Sequence, residues 1–523
     1  MKKHIKNINH FVASLLFVAI VSSCNIDEEP VTYAGEKLFG NVEGAHTALN
    51  GVYSSLIAFN YYGADYHHLL NMGSGLFSTD RVPSYNDIAG LNPTSSLNFV
   101  TNVWKAMYQT IGYCNDLIQN IEAVERTDPE YNNILGQAYF IRSLTYFHLV
   151  RIYGGVPLLT APVTPDNLHN PRMPVEDVFD QIILDAERAQ TLLPEYGSNQ
   201  AGRPSNTAAN MLLAKVYIQM AGNKTSTETE YWQKAYDHAI LVYNTHTLVA
   251  DFRSLWHDET GNNTDESIFE IQSTPEATLR LHQLFTTSKG FIGEGGWGRF
   301  RTNLEVYDKH IAIYPTDPRI NSTYVTQFTE YNTKNIGDTL TRTTYPHADS
   351  QYDNRDRKQG AYPYCYKYWI KDHTATTYSQ NQSFIVFRYA ELLLMLAEIS
   401  NELQNGEQLT YVTEVLDRVG LTPQAGYSGD QVSFREAIMY EYQFELYSEG
   451  DDFFRVRRRG YETWLKPHVI EAHNNHPVYG DFSGKYDAPG GYPDNSRIML
   501  MPIPSTEITA NNMISAADQN PGY

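Results

Sequence analysis

Three sets of residues carry side chains able to do chemistry, and the first is a pair of adjacent carboxylates, Asp451 with Asp452, together with Glu28 and Glu29. Glycoside hydrolysis needs two carboxyls about 5 to 10 Å apart across a cleft, one of them with a raised pKa, and neighbours on a helix or a tail do not supply that. No catalytic residue is assigned and no enzyme is expected. The second set is metal-like: His67 and His68 are adjacent, no Cys-x-x-Cys occurs, and the Asp- and Asn-rich stretch 258–265 lacks the EF-hand pattern. Neither a metal nor another cofactor is expected. The third set combines aromatics with polar groups on loops. In GLFSTDRVPSYND stand Phe77, Asp80, Arg81, Tyr85 and Asn86; in GFIGEGGWGRF, Gly293, Gly295, Gly296 and Gly298 flank Trp297 ahead of Arg299. A flat ring covers the C–H face of a sugar while Asn, Asp or Arg bonds its hydroxyls, so these seven side chains are the candidate ligand contacts. Competing structural roles are turn and helix contacts for Asp80 and Arg81, and for Trp297 a lock between its loop and a helix starting near Asn303. The glycines do not make a P-loop, because its Gly-Lys-Ser/Thr ending is missing.

These loops must be held by a chain of 523 residues, 42% hydrophobic and 19% charged, which has core enough for one large domain or several and is too apolar to be disordered. Lys and Arg number 39 against 60 Asp and Glu, a formal charge of −21. Such a field repels phosphate backbones, so nucleic acid is not an expected partner, and a ligand should be neutral or cationic unless a local basic pocket overrides it. The 39 tyrosines suit cores, interfaces and sugar platforms alike.

The first two dozen residues address the chain. Lys2, Lys3 and Lys6 precede an apolar run over 11–21 that ends in Ser22 and Ser23, which is the pattern of a secretory signal over 1–23 and too short to span a bilayer. Cys24 follows directly and resembles the lipobox cysteine of bacterial lipoproteins, the residue that is fatty-acylated; multiple acyl chains at about 0.8 kcal/mol per buried methylene hold a protein firmly on a membrane. The acidic run 25–29 is similar to the surface-export signal of Bacteroidetes lipoproteins. Cys114 and Cys365 are the remaining thiols, and two buried free cysteines are expected rather than a pair.

The body reads as helices interrupted by long polar stretches. Apolar spacing predicts a central helix over 134–153, a surface helix over 175–193 with Val178, Ile182, Ala186 and Ala189 inward, and further helices over 207–220, 231–243, 387–401 and 434–448. Residues 321–383 carry no lasting helical period and read as irregular structure with short strands. Ala138 and Tyr146, Ala209 and Tyr217, and Ala235 and Tyr243 each stand eight positions apart, a small residue and a large one on one face, as in tetratricopeptide-type stacking. Trp104 and Trp369 are expected in the core; Trp256 is left open.

Five phrases now carry a family resemblance: GQAYFIRSLTYFHLVRIYGGVPL, GRPSNTAANMLLAKVYIQMAG, FRYAELLLMLAEISNE, ELYSEGDDFF and MPIPSTEITANNMISAADQNPGY. Together with the lipoprotein-like start they resemble, in order, the SusD/RagB family. The resemblance implies a mainly α fold in which tetratricopeptide-like hairpins support a loop-rich ligand-binding half with few short strands. It also implies a single domain over 24–523, with repeat-like helices at about 42–245 and 387–460 and loop-rich regions at about 250–386 and 461–523. It further implies a surface-exposed outer-membrane lipoprotein, anchored at Cys24, that passes oligosaccharide or peptide to a SusC-type TonB-dependent transporter faced by the repeat-like helices. Two departures stand out. The family's Glu-Gly-x-Arg, with Asp three residues on, is here Glu449, Gly450, Asp451, Asp452 and then Arg455, so Asp452 and Arg455 are expected to keep a reversed pair. Where the family often places a further aromatic, this chain has Gln272, Ser273 and Thr274, which thins the sugar platform and motivates the peptide alternative.

Overall fold

A computed structural model describes residues 38–79, 87–123, 127–222, 228–257, 260–273, 285–288, 291, 296–331, 340–343, 362–369, 382–477 and 491–523. Cys24 and the signal-like segment lie outside them. The fold is mainly α. Helix α1 (Val42–Leu56) starts where the Asn41 side chain accepts from the Gly44 N–H at 2.8 Å, satisfying a first-turn donor. Helix α2 (Asn98–Glu122) buries Val103, Met107, Ile111 and Cys114 at helical spacing. Helix α3 (Glu130–Tyr153) is the central one: every residue over 136–153 is buried, because α1, α2 and α4 (Val175–Leu192) all pack on it. Helices α5 (Asn206–Ala221) and α6 (Glu228–Ala239) continue the series, each packed on its predecessor. Successive helices packed on one another build the stacked hairpins foreseen from the sequence, with a short connection from α2 to α3 and a longer one, over 154–174, from α3 to α4. Ala138, Ala209 and Ala235 are all fully buried, as close helix approach requires.

The predicted helix over 231–243 ends early, at Ala239. Beyond it Asn244 turns with φ +64 and Tyr243 is drawn off to donate to Glu414 at 2.5 Å.

Strands are short. An antiparallel sheet in the order β1-β3-β7-β4 joins β1 (Phe77–Ser78), β3 (Arg301–Thr302), β7 (Tyr364–Cys365) and β4 (Tyr324–Val325). Strand β2 (Ser267–Ile271) pairs with β8 (Phe384–Arg388), and β5 (Gln327–Glu330) with β6 (Leu340–Thr343). Helix α7 (Leu304–Ile313) follows β3, as expected near Asn303. The predicted helix over 387–401 needs correction at its start: Phe387 and Arg388 belong to β8, opposite Phe269 and Ser267, and α8 runs Tyr389–Leu403. A three-carboxylate clasp on Arg388 overrides its helical spacing.

That clasp is the joint between the two halves. Arg388 donates to Glu266 at 2.7 Å, Glu445 at 2.6 Å and Glu449 at 2.7 Å. Glu445 lies on α10 (Gln431–Leu446) and accepts also from Arg319, at 2.9 Å, and from Arg418, at 2.6 Å, the last residue of α9 (Gln408–Arg418). Lys367, just after β7, reaches Glu449 at 2.6 Å. All of these side chains are buried. Ions out of water need opposite charges beside them, and each of these has at least one.

Cys114 and Cys365 are both buried, and the two do not form a disulfide. No helix among the described residues is long and apolar enough to cross a membrane.

Candidate ligand-binding site

The β1–β3 pairing decides the geometry. Ser78 lies opposite Arg301, so the chain leaves β1 beside the segment 296–300 that leads into β3. Asp80, Arg81, Tyr85 and Asn86 lie outside the described residues. Phe77 is fully buried with its ring stacked on Tyr447, centroids 4.7 Å apart and planes 10° apart. With no face open in this structure it stands as a support at the end of β1.

Trp297 is half-buried. Its indole packs on Phe285 with centroids 5.1 Å apart, and the Arg299 guanidinium lies 4.6 Å over the same indole. Backbone bonds fix the segment: Gly298 N–H donates to Thr287 O at 2.8 Å, and Phe300 N–H to Phe285 O at 2.9 Å. Two glycines make this approach feasible. A Cβ on Gly296 would stand 2.2 Å from the Thr287 carbonyl oxygen, and Gly298 has φ +54. Gly296 and Gly298 thus lock the base of the segment while the indole stays half-buried.

Beneath it, Phe285, Phe300 and the buried His68 ring form an aromatic floor, with His68 3.9 Å from Phe285 and 5.4 Å from Phe300. Burial, with Arg299 adding to it, holds His68 well below the usual imidazole range, and burial pushes His67 down to about 3. Both rings are neutral. Among the described residues no cluster of three or more His, Cys, Asp or Glu is arranged to hold a metal.

Other predicted positions resolve as follows. Trp104 is core, against Tyr108 and Tyr153. Trp369 is buried between Phe291 and Phe328, and Trp256, left open by the sequence, is buried with Lys367 Nζ 5.0 Å over its ring. At the place of the missing aromatic, Gln272 and Asn263 exchange amide bonds at 3.0 and 3.1 Å. The reversed pair is formed: Arg455 donates to Asp452 at 2.7 Å, while Asp451 turns to Arg151 at 3.0 Å and Lys215 at 3.4 Å. Burial alone would raise the Asp451 carboxyl, but Lys215 and Arg151 hold it well below the carboxylate range.

A helical-repeat scaffold that presents an aromatic–cation pair from a loop-rich face is the architecture of a binding protein. The chain belongs to the SusD family: that family's model matches residues 210–523, and a related one, described as starch-binding and associating with the outer membrane, matches residues 81–218. SusD-like protein P2 of Formosa agariphila is 25% identical over 541 residues, covering 97% of this chain and 98% of the relative. A SusD superfamily protein from Parabacteroides distasonis superposes with a TM-score of 0.75 at 24% identity, covering 92% of this chain and 99% of that one. Surface glycan-binding protein A from Bacteroides uniformis does so at 0.71 and 20%, over the same shares.

Proposed function

We propose that this chain, as one domain over 24–523, is a cell-surface lipoprotein anchored at Cys24 that binds oligosaccharide and delivers it to a SusC-type TonB-dependent transporter in the outer membrane. The observation that carries the reading is the half-buried Trp297 with Arg299 over its ring, beside the exit of β1, in a member of the SusD family. An indole face and an adjacent guanidinium are the two elements that pyranose recognition needs, and the acidic surface favours a neutral glycan. The described relative from Bacteroides uniformis, a surface glycan-binding protein by name, adds support for that ligand class. Tyr85, Asn86, Asp80 and Arg81 are the proposed partners of Trp297 and Arg299 in the site. No chemical step is assigned: the protein holds and hands over its ligand.

The test is calorimetry with neutral oligosaccharides on the wild type and on a Trp297→Ala, Tyr85→Ala double variant. Affinity should fall by at least roughly tenfold, about 1.4 kcal/mol; unchanged affinity removes both residues from the site. The Gln272–Asn263 amide pair favours a second reading, capture of peptide by the same face. Peptides co-purifying in mass spectra, without binding to any glycan, would establish it instead.

A further inference from the structure

A cleft of about 460 Å³ opens on the helical half, between the ends of α5 and α8, helix α6, helix α10 and the π-helical stretch Tyr461–Ile470. It shares no residue with the Trp297 site. Its volume falls in the range of small-molecule sites, roughly 300–1,000 Å³. Trp464 and His468, four apart on the π-helical stretch, stack with centroids 4.0 Å and planes 19° apart. On the other side Arg459 lies 5.1 Å over the Trp232 ring.

The polar groups of the cleft are held firmly and nearly balanced. Arg435 grips Glu402 with two bonds, at 2.6 and 2.7 Å, and Arg459 donates to the same carboxylate at 2.8 Å and to Glu398. Arg459 is nine-tenths buried, yet its Nε is buried with no hydrogen-bond partner among the described residues. His468 Nδ1 is taken by the Tyr440 hydroxyl at 2.9 Å, leaving Nε2 for a ligand, and burial holds the ring neutral.

We infer that this cleft is a second binding site, for a short neutral saccharide. The matched guanidinium and carboxylate groups leave no net charge for an ionic ligand to answer: an anion would have to displace Glu402, and a cation would meet Arg435 and Arg459. A ligand with many hydroxyls finds an acceptor in the exposed Glu436, a ring nitrogen in His468 Nε2 and an apolar wall where Trp464 and His468 line the cleft. An extended peptide would look for an open strand edge, and the cleft walls are helical. The inference rests on the glycan-binding reading above but not on the Trp297 site.

The test labels the six tryptophans with 5-fluorotryptophan and follows their fluorine resonances while cello-, laminari-, manno- and xylohexaose are added at millimolar concentration. The expected result is a shift of Trp464 and Trp232 with at least one hexaose. Val432, 63% exposed at the cleft, provides the control: Val432→Arg should fill the opening and weaken that response roughly tenfold, leaving any Trp297 response intact. Shifts at Trp297 alone would overturn this site and keep the proposed function. Silence of every resonance would overturn both, and a Trp464 response to a casein digest but to no hexaose would overturn the saccharide assignment.

Discussion

Along α3, apart from the Arg142–Asp185 and Arg151–Asp451 pairs, residues 136–153 are buried mostly against apolar neighbours, whereas α10 turns Glu441 and Glu445 toward Arg319, Arg388 and Arg418 in an equally dry setting. The first kind of contact is non-directional: one methyl can replace another, and the repeat stack is set by volume. The second is directional and all-or-nothing, since each ion out of water depends on its named partners. The loop-rich half shares an apolar core with the scaffold, as where Phe140 meets Phe269, and is pinned to it in addition at a few charged points. The largest expected effect follows at that joint. Glu445→Ala takes one carboxylate from each of three arginines and should cost about 5 kcal/mol, the upper end for a broken buried pair, read from chemical denaturation. A loss near 1 kcal/mol would mean that water or rearrangement relieves the joint and that the contrast is overdrawn.

Acid should act at the same place. Burial opposes ionisation of Asp317, yet His310 and Arg319 bring its carboxyl down to about 2, and three arginines hold Glu445 well below the usual range. Carboxyls depressed in the folded state add stability that is complete above the unfolded pKa, about 4, and lost as pH falls toward the folded one. Wild-type stability should therefore drop steeply between about pH 4 and pH 2, and Glu445→Ala should flatten that slope.

The reversed pair near α11 (Asp452–Arg458) is a smaller version of the joint. Asp452 accepts from Arg455 at 2.7 Å and from the Ser448 N–H at 2.6 Å. Asp452→Asn keeps the shape and removes the charge, so a loss of about 2 kcal/mol is expected. In a cycle with Arg455→Gln the two losses should not add, the coupling being about 1 to 2 kcal/mol; strict additivity would show that the pair does not act as one.

How far these features are legible in sequence follows the same division. Periodicity placed α3, α4 and α5 to within a few residues, because apolar spacing is a local signal and burial answers to it directly. The joint was invisible: Glu266, Arg319, Lys367, Arg388, Arg418 and Glu445 are scattered over the chain, and no short-range pattern links them. A trace did exist in Glu441 and Glu445, four apart on α10, and in Glu449 four further on past its end, a row of carboxylates that needs cations opposite when buried. Arg388 was assigned to a helix for the same reason. At the candidate site, the glycine-rich run around Trp297 was readable, since sharp turns need glycine, but the β1–β3 register that sets it beside the end of β1 is a long-range fact.

Asp65 tests the opposite sign. It is buried beside the tyrosines of the π-helical stretch Phe59–Gly63, with Asn102 donating to it at 2.8 Å and no cation paired with it in the described contacts. Burial pushes its carboxyl up to about 6, against the Asn102 bond. A folded pKa above the unfolded one favours the native state at low pH, and that benefit disappears as pH rises through about 6. Asp65→Asn, which keeps the acceptor for Asn102, should gain about 2 kcal/mol at pH 7.5 and little at pH 4. A variant equally stable at both would place water or a counter-ion on the carboxylate.

The smallest effect on folding belongs to Trp297→Ala, and its smallness is what makes the site separable from the scaffold. The indole is only half-buried, and removing it leaves the Gly298–Thr287 and Phe300–Phe285 backbone bonds in place. Phe285 keeps its contacts with His68 and Phe300, so the aromatic floor survives. What is lost is the Arg299 cation–π contact and part of one ring's packing, about 1 kcal/mol together. Thermal unfolding should therefore move by only a few degrees, while saccharide affinity falls by the larger factor given above. A Trp297→Ala protein that unfolds as readily as Glu445→Ala would make the indole a structural pin, and the line drawn between clipped scaffold and free binding face would have to move outward to the residues 80–86.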